Sequence, residues 1–126
     1  MTDCHPPLML ALTTEADQAK AEVLARQLLE RRLVACVSLA PIHSVYVWRE
    51  AVQKESEVQL LLKTTPEQLE ALFRAVMELH SYDTPEWLVW PVEASPAYGA
   101  WAREVVRTDG SQPAPAAAPG SEPPAG

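Results

Sequence analysis

Two arms of alternating sequence, joined by a very short connection, set the main constraint on this chain. The first begins at Leu33 as "LVACVSLAP" and continues as "HSVYVWRE"; the second contains "EVQLLLKT". From Ser44 the side chains alternate, with Val45 and Val47 on one side and Tyr46 and Trp48 on the other. Val58, Leu60 and Leu62 share a face of the second arm. With a turn near Arg49 to Val52, the pattern is a long β-hairpin. Pro41 predicts an end or a bulge in the first arm. Counted from Leu33, that arm still runs for about sixteen residues, whereas an ordinary strand has about 5–6. Its outer half would overhang a small sheet, and unpaired backbone of that kind recruits other chains unless it is covered. Another copy of the same chain is the economical cover. The expectation is a homo-oligomer, most simply a closed ring with hairpins exchanged across its interfaces.

The flanking segments complete the architecture. "PLMLAL" is a short apolar run that reads as a buried strand. An amphipathic helix follows, with Ala21, Leu24, Ala25 and Leu28 on its apolar stripe. Thr14 is its expected N-cap, and Glu15 and Asp17 fall in its first turn. After the hairpin, "TPEQLEALFRAVMELH" reads as a second helix. Thr65, Pro66 and Gln68 are placed for a capping box, and Leu69, Leu72, Phe73 and Val76 for the core stripe. "EWLVWPV" is a last strand, with Pro91 pointing to a sheet edge. "SPAYGAWAREVVR" is a final helix started by Ser95 and Pro96. The order β-α-β-β-α-β predicts an α+β, ferredoxin-like sandwich with a long hairpin and an extra C-terminal helix.

Composition removes several function classes. The net charge is −7, and Arg31-Arg32 is the main basic cluster, so no nucleic-acid partner is expected. No apolar run approaches the ~20 residues of a membrane span, and "MTDCHPP" has no signal-peptide core, so a cytoplasmic protein without membrane attachment is expected. Cys4 and Cys36 do not make a disulfide framework. Residues 1–6 read as a flexible start and 7–107 as the folded domain. Residues 108–126, rich in Pro and Ala, read as a disordered tail, since nothing in them offsets the entropy of ordering.

The candidate chemistry is sparse. Phosphate-binding glycine loops, CxxC pairs and HExxH are all missing from the sequence, and no nucleophile stands beside a base, so an enzyme is not expected. Cys36 and His80 are the candidate metal ligands, for copper or another divalent cation. Each has a plainer reading: Cys36 as a small core side chain, His80 as a helix C-terminal residue. Tyr82, Thr84 and Glu86 surround Pro85 and could border a cleft, or simply shape the turn into the last strand. Glu57 and Lys63 project from one face of the hairpin, available to a ligand or to cross-strand ion pairing. Trp48 and Tyr46 could form a ligand platform or pack in an interface.

Taken together, "ACVSLAP", "SVYVW", "EVQLLLKTT", "HSYDTPE" and "YGAW" follow the order and spacing of the CutA divalent-cation-tolerance family, over roughly residues 8 to 106. The resemblance implies a ferredoxin-like homotrimer in which long hairpin strands pair between subunits. It implies a cytoplasmic, non-enzymatic protein linked to tolerance of divalent metals, copper especially. The family is also similar in fold and assembly to the PII signalling proteins. This leaves open a small-molecule sensor with clefts between subunits, lined by Trp48, Glu57, Lys63, Tyr82, Thr84 and Glu86. Ser81 stands where the family has proline, which suggests a less rigid His80, and Glu50 stands where glycine is common in the hairpin turn. Thr13 and Ala75 occupy positions where some members carry further cysteines, so a site built only from one subunit's thiolates is not expected.

Overall fold

The computed structural model describes residues 6–106. The expectations for the first residues and for the tail beyond residue 107 lie outside this range. Four strands and three helices follow one another: β1 (Leu8–Glu15), α1 (Gln18–Glu30), β2 (Cys36–Trp48), β3 (Ala51–Thr64), α2 (Leu69–Leu79), β4 (Leu88–Val92) and α3 (Pro96–Val105). A single 3₁₀ turn, Pro66–Gln68, precedes α2. The strands form one sheet in the order β2-β3-β1-β4, antiparallel throughout. This is the ferredoxin-like arrangement expected from the sequence.

Two cores hold the sheet. On one face, Ala11, Val58, Leu60 and Leu62 pack against Ala21, Leu24 and Leu28 of α1 and Leu72 and Val76 of α2. Strand alternation turns Leu8 to the opposite face. There it joins Ala35 and the α3 residues Ala102 and Tyr98 in a smaller cluster. The extra helix thus covers one end of the second face.

Several local expectations are corrected. The first arm does not break at Pro41: β2 runs through it, with Pro41 opposite Val58. The sheet order supplies the reason, because β2 is an edge strand and a proline without an N–H is tolerated where one side has no ladder partner. Thr14 does not cap α1. It continues β1 opposite Gln59, Glu15 follows it into the strand, and Asp17 caps the helix by accepting from the Lys20 N–H at 2.8 Å. Thr65 makes no side-chain cap, because the chain enters α2 through the 3₁₀ turn. Phe73 leaves the core stripe. It is 40 % exposed and stacks at 5.5 Å on Trp87, while Ala75 takes the buried position.

β3 pairs with β1 only from Val58 to Thr64. Beyond Val58, β2 and β3 continue as a two-stranded ribbon down to the Trp48–Ala51 pair. Arg49 and Glu50 turn the chain with φ of 53° and 67°, both left-handed, which matches the twist of a tight two-residue hairpin.

Candidate functional site

The ribbon and the segment that leaves α2 enclose a cleft of about 940 Å³. Register explains which side chains reach it. Tyr46 stands opposite Gln53, Ser44 opposite Glu55, and Trp48 opposite Ala51, so Tyr46, Trp48, Glu55 and Glu57 project from the face away from α1 and α2. Tyr82, Asp83, Thr84, Pro85 and Glu86 form the other wall. Of the six residues read from the sequence as cleft-lining, Trp48, Glu57, Tyr82, Thr84 and Glu86 line this one cavity. Lys63 does not. It shares a face with Glu57, as expected, but lies six residues further along β3, on the order of 20 Å away. Glu55 also lines it and is not among the residues expected from the sequence, although its even spacing from Glu57 puts it on the same face.

Two phenol–carboxylate pairs stiffen the cleft. The Tyr46 hydroxyl donates to Glu55 at 2.8 Å and the Tyr82 hydroxyl donates to Glu57 at 2.7 Å. The bond to Glu55 is the main reason the Tyr46 phenol is held above its ordinary pKa. For Tyr82 burial comes first and the Glu57 bond second, and together they push the phenol far up. Both tyrosines therefore stay protonated donors, and both carboxylates are fixed in place.

Behind this wall lies a buried polar support. His80 ends α2 with its side chain buried. Its Nδ1 accepts the Tyr82 N–H at 3.0 Å, so its Nε2 is the donor to the Thr14 carbonyl at 2.5 Å. Both ring nitrogens are thus engaged, and a metal ion could reach His80 only by displacing one of these bonds. Glu15, read from the sequence as a helix-start residue, is 2 % exposed. Its carboxylate accepts from the Ser81 N–H at 3.1 Å, the Ser81 hydroxyl at 2.5 Å and the Ala16 N–H at 3.1 Å. Ser81 therefore ties the loop to β1 with two bonds that a proline could not make.

Cys36 occupies the other end of the sheet. It is half-buried, opposite Lys63, whose Nζ lies 3.5 Å from the sulfur and donates to Ser38 Oγ at 2.9 Å. Burial, and then the neighbouring Cys36, hold the Tyr98 phenol above its ordinary pKa. Lys63 faces Leu10 on β1, while His80 binds at Thr14. Four residues of strand separate them, on the order of 13 Å. One ion cannot bridge Cys36 and His80 of a single chain. Among the described residues, no group of three or more His, Cys, Asp or Glu side chains is placed to hold a metal ion.

The arrangement has close counterparts among known proteins. A divalent-cation tolerance protein CutA from Pectobacterium atrosepticum is 41 % identical over 101 residues, covering 79 % of this chain and 92 % of its own. The structure of CutA from Synechococcus elongatus superposes with a TM-score of 0.78 at 42 % identity, covering 80 % of this chain and 91 % of its own. A periplasmic divalent cation tolerance protein CutA from Archaeoglobus fulgidus gives 0.77 at 30 % identity, covering 79 % and 99 %. Residues 9–105 match the family described as CutA1 divalent ion tolerance protein, and the chain belongs to that family.

Proposed function

We propose that this protein is a non-enzymatic, homotrimeric, cytoplasmic binding protein of divalent-cation tolerance, and that it works through the cleft beside its hairpin. The observation that carries the reading is the convergence of Trp48, Glu57, Tyr82, Thr84 and Glu86 on one cavity of about 940 Å³, a size suited to a small molecule. In this reading a neighbouring subunit's backbone pairs with the projecting ribbon and closes the cleft, as in a PII-like sensing trimer. The lining offers acid groups, hydroxyls and aromatic rings but no histidine, lysine or cysteine, which favours binding over catalysis. Sedimentation at micromolar concentration should give three times the chain mass. A well-folded monomer there would remove the trimer.

Direct binding of copper or another divalent cation is the second reading. Its support is the family's link to divalent ions and the half-buried Cys36 thiol. A soft ion at Cys36 would need further ligands from another subunit. Copper titration by calorimetry, with Cys36→Ser and His80→Ala beside the native chain, separates the two readings. Saturable uptake lost in Cys36→Ser supports a thiolate site, and no saturable uptake by the native chain rejects it.

A further inference from the structure

The cleft makes no use of Cys36, which opens β2 directly opposite Lys63 of β3. Facing residues of an antiparallel pair have Cβ atoms about 5 Å apart, and here the side-chain ends also meet. Lys63 Nζ lies 3.5 Å from Cys36 Sγ. That is the separation of two atoms placed to react. The same amine donates to Ser38 Oγ at 2.9 Å. Ser38 lies two residues along β2 on the face of Cys36, so it holds the amine over the strand. Cys36 and Lys63 are both half-buried, within reach of a small solute.

A second, independent observation lies on α3. The Tyr98 hydroxyl is buried, yet it makes no hydrogen bond of ordinary geometry among the described residues. It stands beside the Cys36 thiol, which after burial is the group that holds the phenol above its ordinary pKa. The phenol is thus a protonated donor aimed at a sulfur. A thiol sulfur is a weak acceptor, whereas an oxygen carried on that sulfur would be a strong one. The orphaned donor fits the sulfenic acid of Cys36 better than its thiol. A cysteine, a primary amine and a proton donor therefore meet at one sulfur atom, each from a different element.

We infer that Cys36 and Lys63 are a peroxide-modified pair, joined on oxidation by a reversible sulfenamide bond between Sγ and Nζ, with Tyr98 as the proton donor. Hydrogen peroxide first transfers one oxygen to the sulfur. The S–H becomes S–OH, one water leaves, and the sulfur is oxidised by two electrons. The Lys63 amine, as its free base, then attacks the sulfur. The S–O bond breaks, the oxygen leaves as water with a proton relayed through Tyr98, and an S–N bond forms. The proton that the Lys63 ammonium gives up goes to solvent. Two small thiols reverse the step, returning Cys36 and Lys63 and leaving as a disulfide. The bond ties the rung at the root of the ribbon, where β2 and β3 begin to pair. It also removes the Lys63 charge and the thiol that the copper reading would use, but it depends on neither that reading nor the cleft.

The test treats the full chain with hydrogen peroxide and follows intact and peptide masses. The Cys4→Ser form is run beside it, because a Cys4–Cys36 disulfide would give the same loss of mass. The expected product is a chain about 2 Da lighter, with the Cys36 and Lys63 peptides joined, restored by dithiothreitol. Lys63→Arg keeps the cation and loses the primary amine. It should stop at the sulfenic acid, about 16 Da heavier, or pass to higher oxides, with no lighter species. Tyr98→Phe should lower the ratio of cross-link to sulfenic acid by about tenfold or more. The rate of Cys36 oxidation should stay within about twofold, a split that a merely loosened fold would not give. Cys36 oxidised in the native chain with the Lys63 peptide unmodified overturns the cross-link. So does a lighter species that survives Lys63→Arg, or a Cys36 that peroxide leaves untouched. An unchanged ratio in Tyr98→Phe overturns the part given to the phenol, and Lys63→Arg still decides the bond if Tyr98→Phe misfolds.

Discussion

At the scale of single residues, the loop after α2 depends on part-buried hydrogen bonds to one buried carboxylate. The Ser81 hydroxyl is one of three donors to the buried Glu15 carboxylate. Ser81→Ala leaves part of that charge unanswered, so a loss of about 2 kcal/mol is expected in urea unfolding. An unchanged midpoint would show that the bond is replaced by water. The Tyr82 phenol gives a second, pH-dependent signature. Its folded pKa is raised above the ordinary 10.0. The folded state therefore holds its proton where the unfolded state releases it. The corresponding stability is fully present below pH 10 and lost as pH rises beyond it. Thermal midpoints should fall above about pH 10, and Tyr82→Phe should flatten that fall. This wall was only partly legible in the sequence. Tyr82, Thr84 and Glu86 cluster around Pro85 and invited the reading. Glu15 did not, because a carboxylate just before a helix looks like a dipole partner. Only the pairing of Glu15 with Val58 shows that the strand carries it inside.

At the scale of elements, the hairpin was the most legible feature. Alternation and the shared face of Val58, Leu60 and Leu62 agree with the ladder that forms, while the turn read near Arg49 to Val52 narrows to Arg49 and Glu50, with Ala51 and Val52 already paired. The continuity through Pro41 was not legible, since it depends on which strands become edges. That is decided by the whole sheet, not by the segment. The turn itself carries a local conflict. Glu50 adopts a φ of 67° that a side chain with a Cβ enters at a cost. Glu50→Gly should therefore stabilise the protein by about 1 kcal/mol, read as a higher thermal midpoint, provided the turn keeps its shape. A lower midpoint would mean that the glutamate holds something at the tip. A related compromise ends α1. Arg32 takes the left-handed position that usually goes to glycine, at φ 61°. The Leu33 N–H then returns to the Leu28 carbonyl at 3.1 Å, and both side chains enter the core.

At the scale of the whole molecule, the sheet is bounded by β2 and β4, and each of these edges contains a proline, Pro41 and Pro91. A strand docking along either edge meets a residue that cannot donate, so it cannot run in register along the full length. On β2 this leaves the outer stretch, from Ile42 to Trp48, as a bounded landing place rather than an open-ended template. Restoring a donor should remove that boundary. Pro41→Val is expected to keep the native fold at room temperature yet form aggregates faster on heating, followed by light scattering. Equal rates would assign protection elsewhere. The two imino acids act as stops at the borders of the molecule. In the proposed trimer, a projecting ribbon that pairs with its own kind can stay exposed during synthesis without seeding endless cross-β growth.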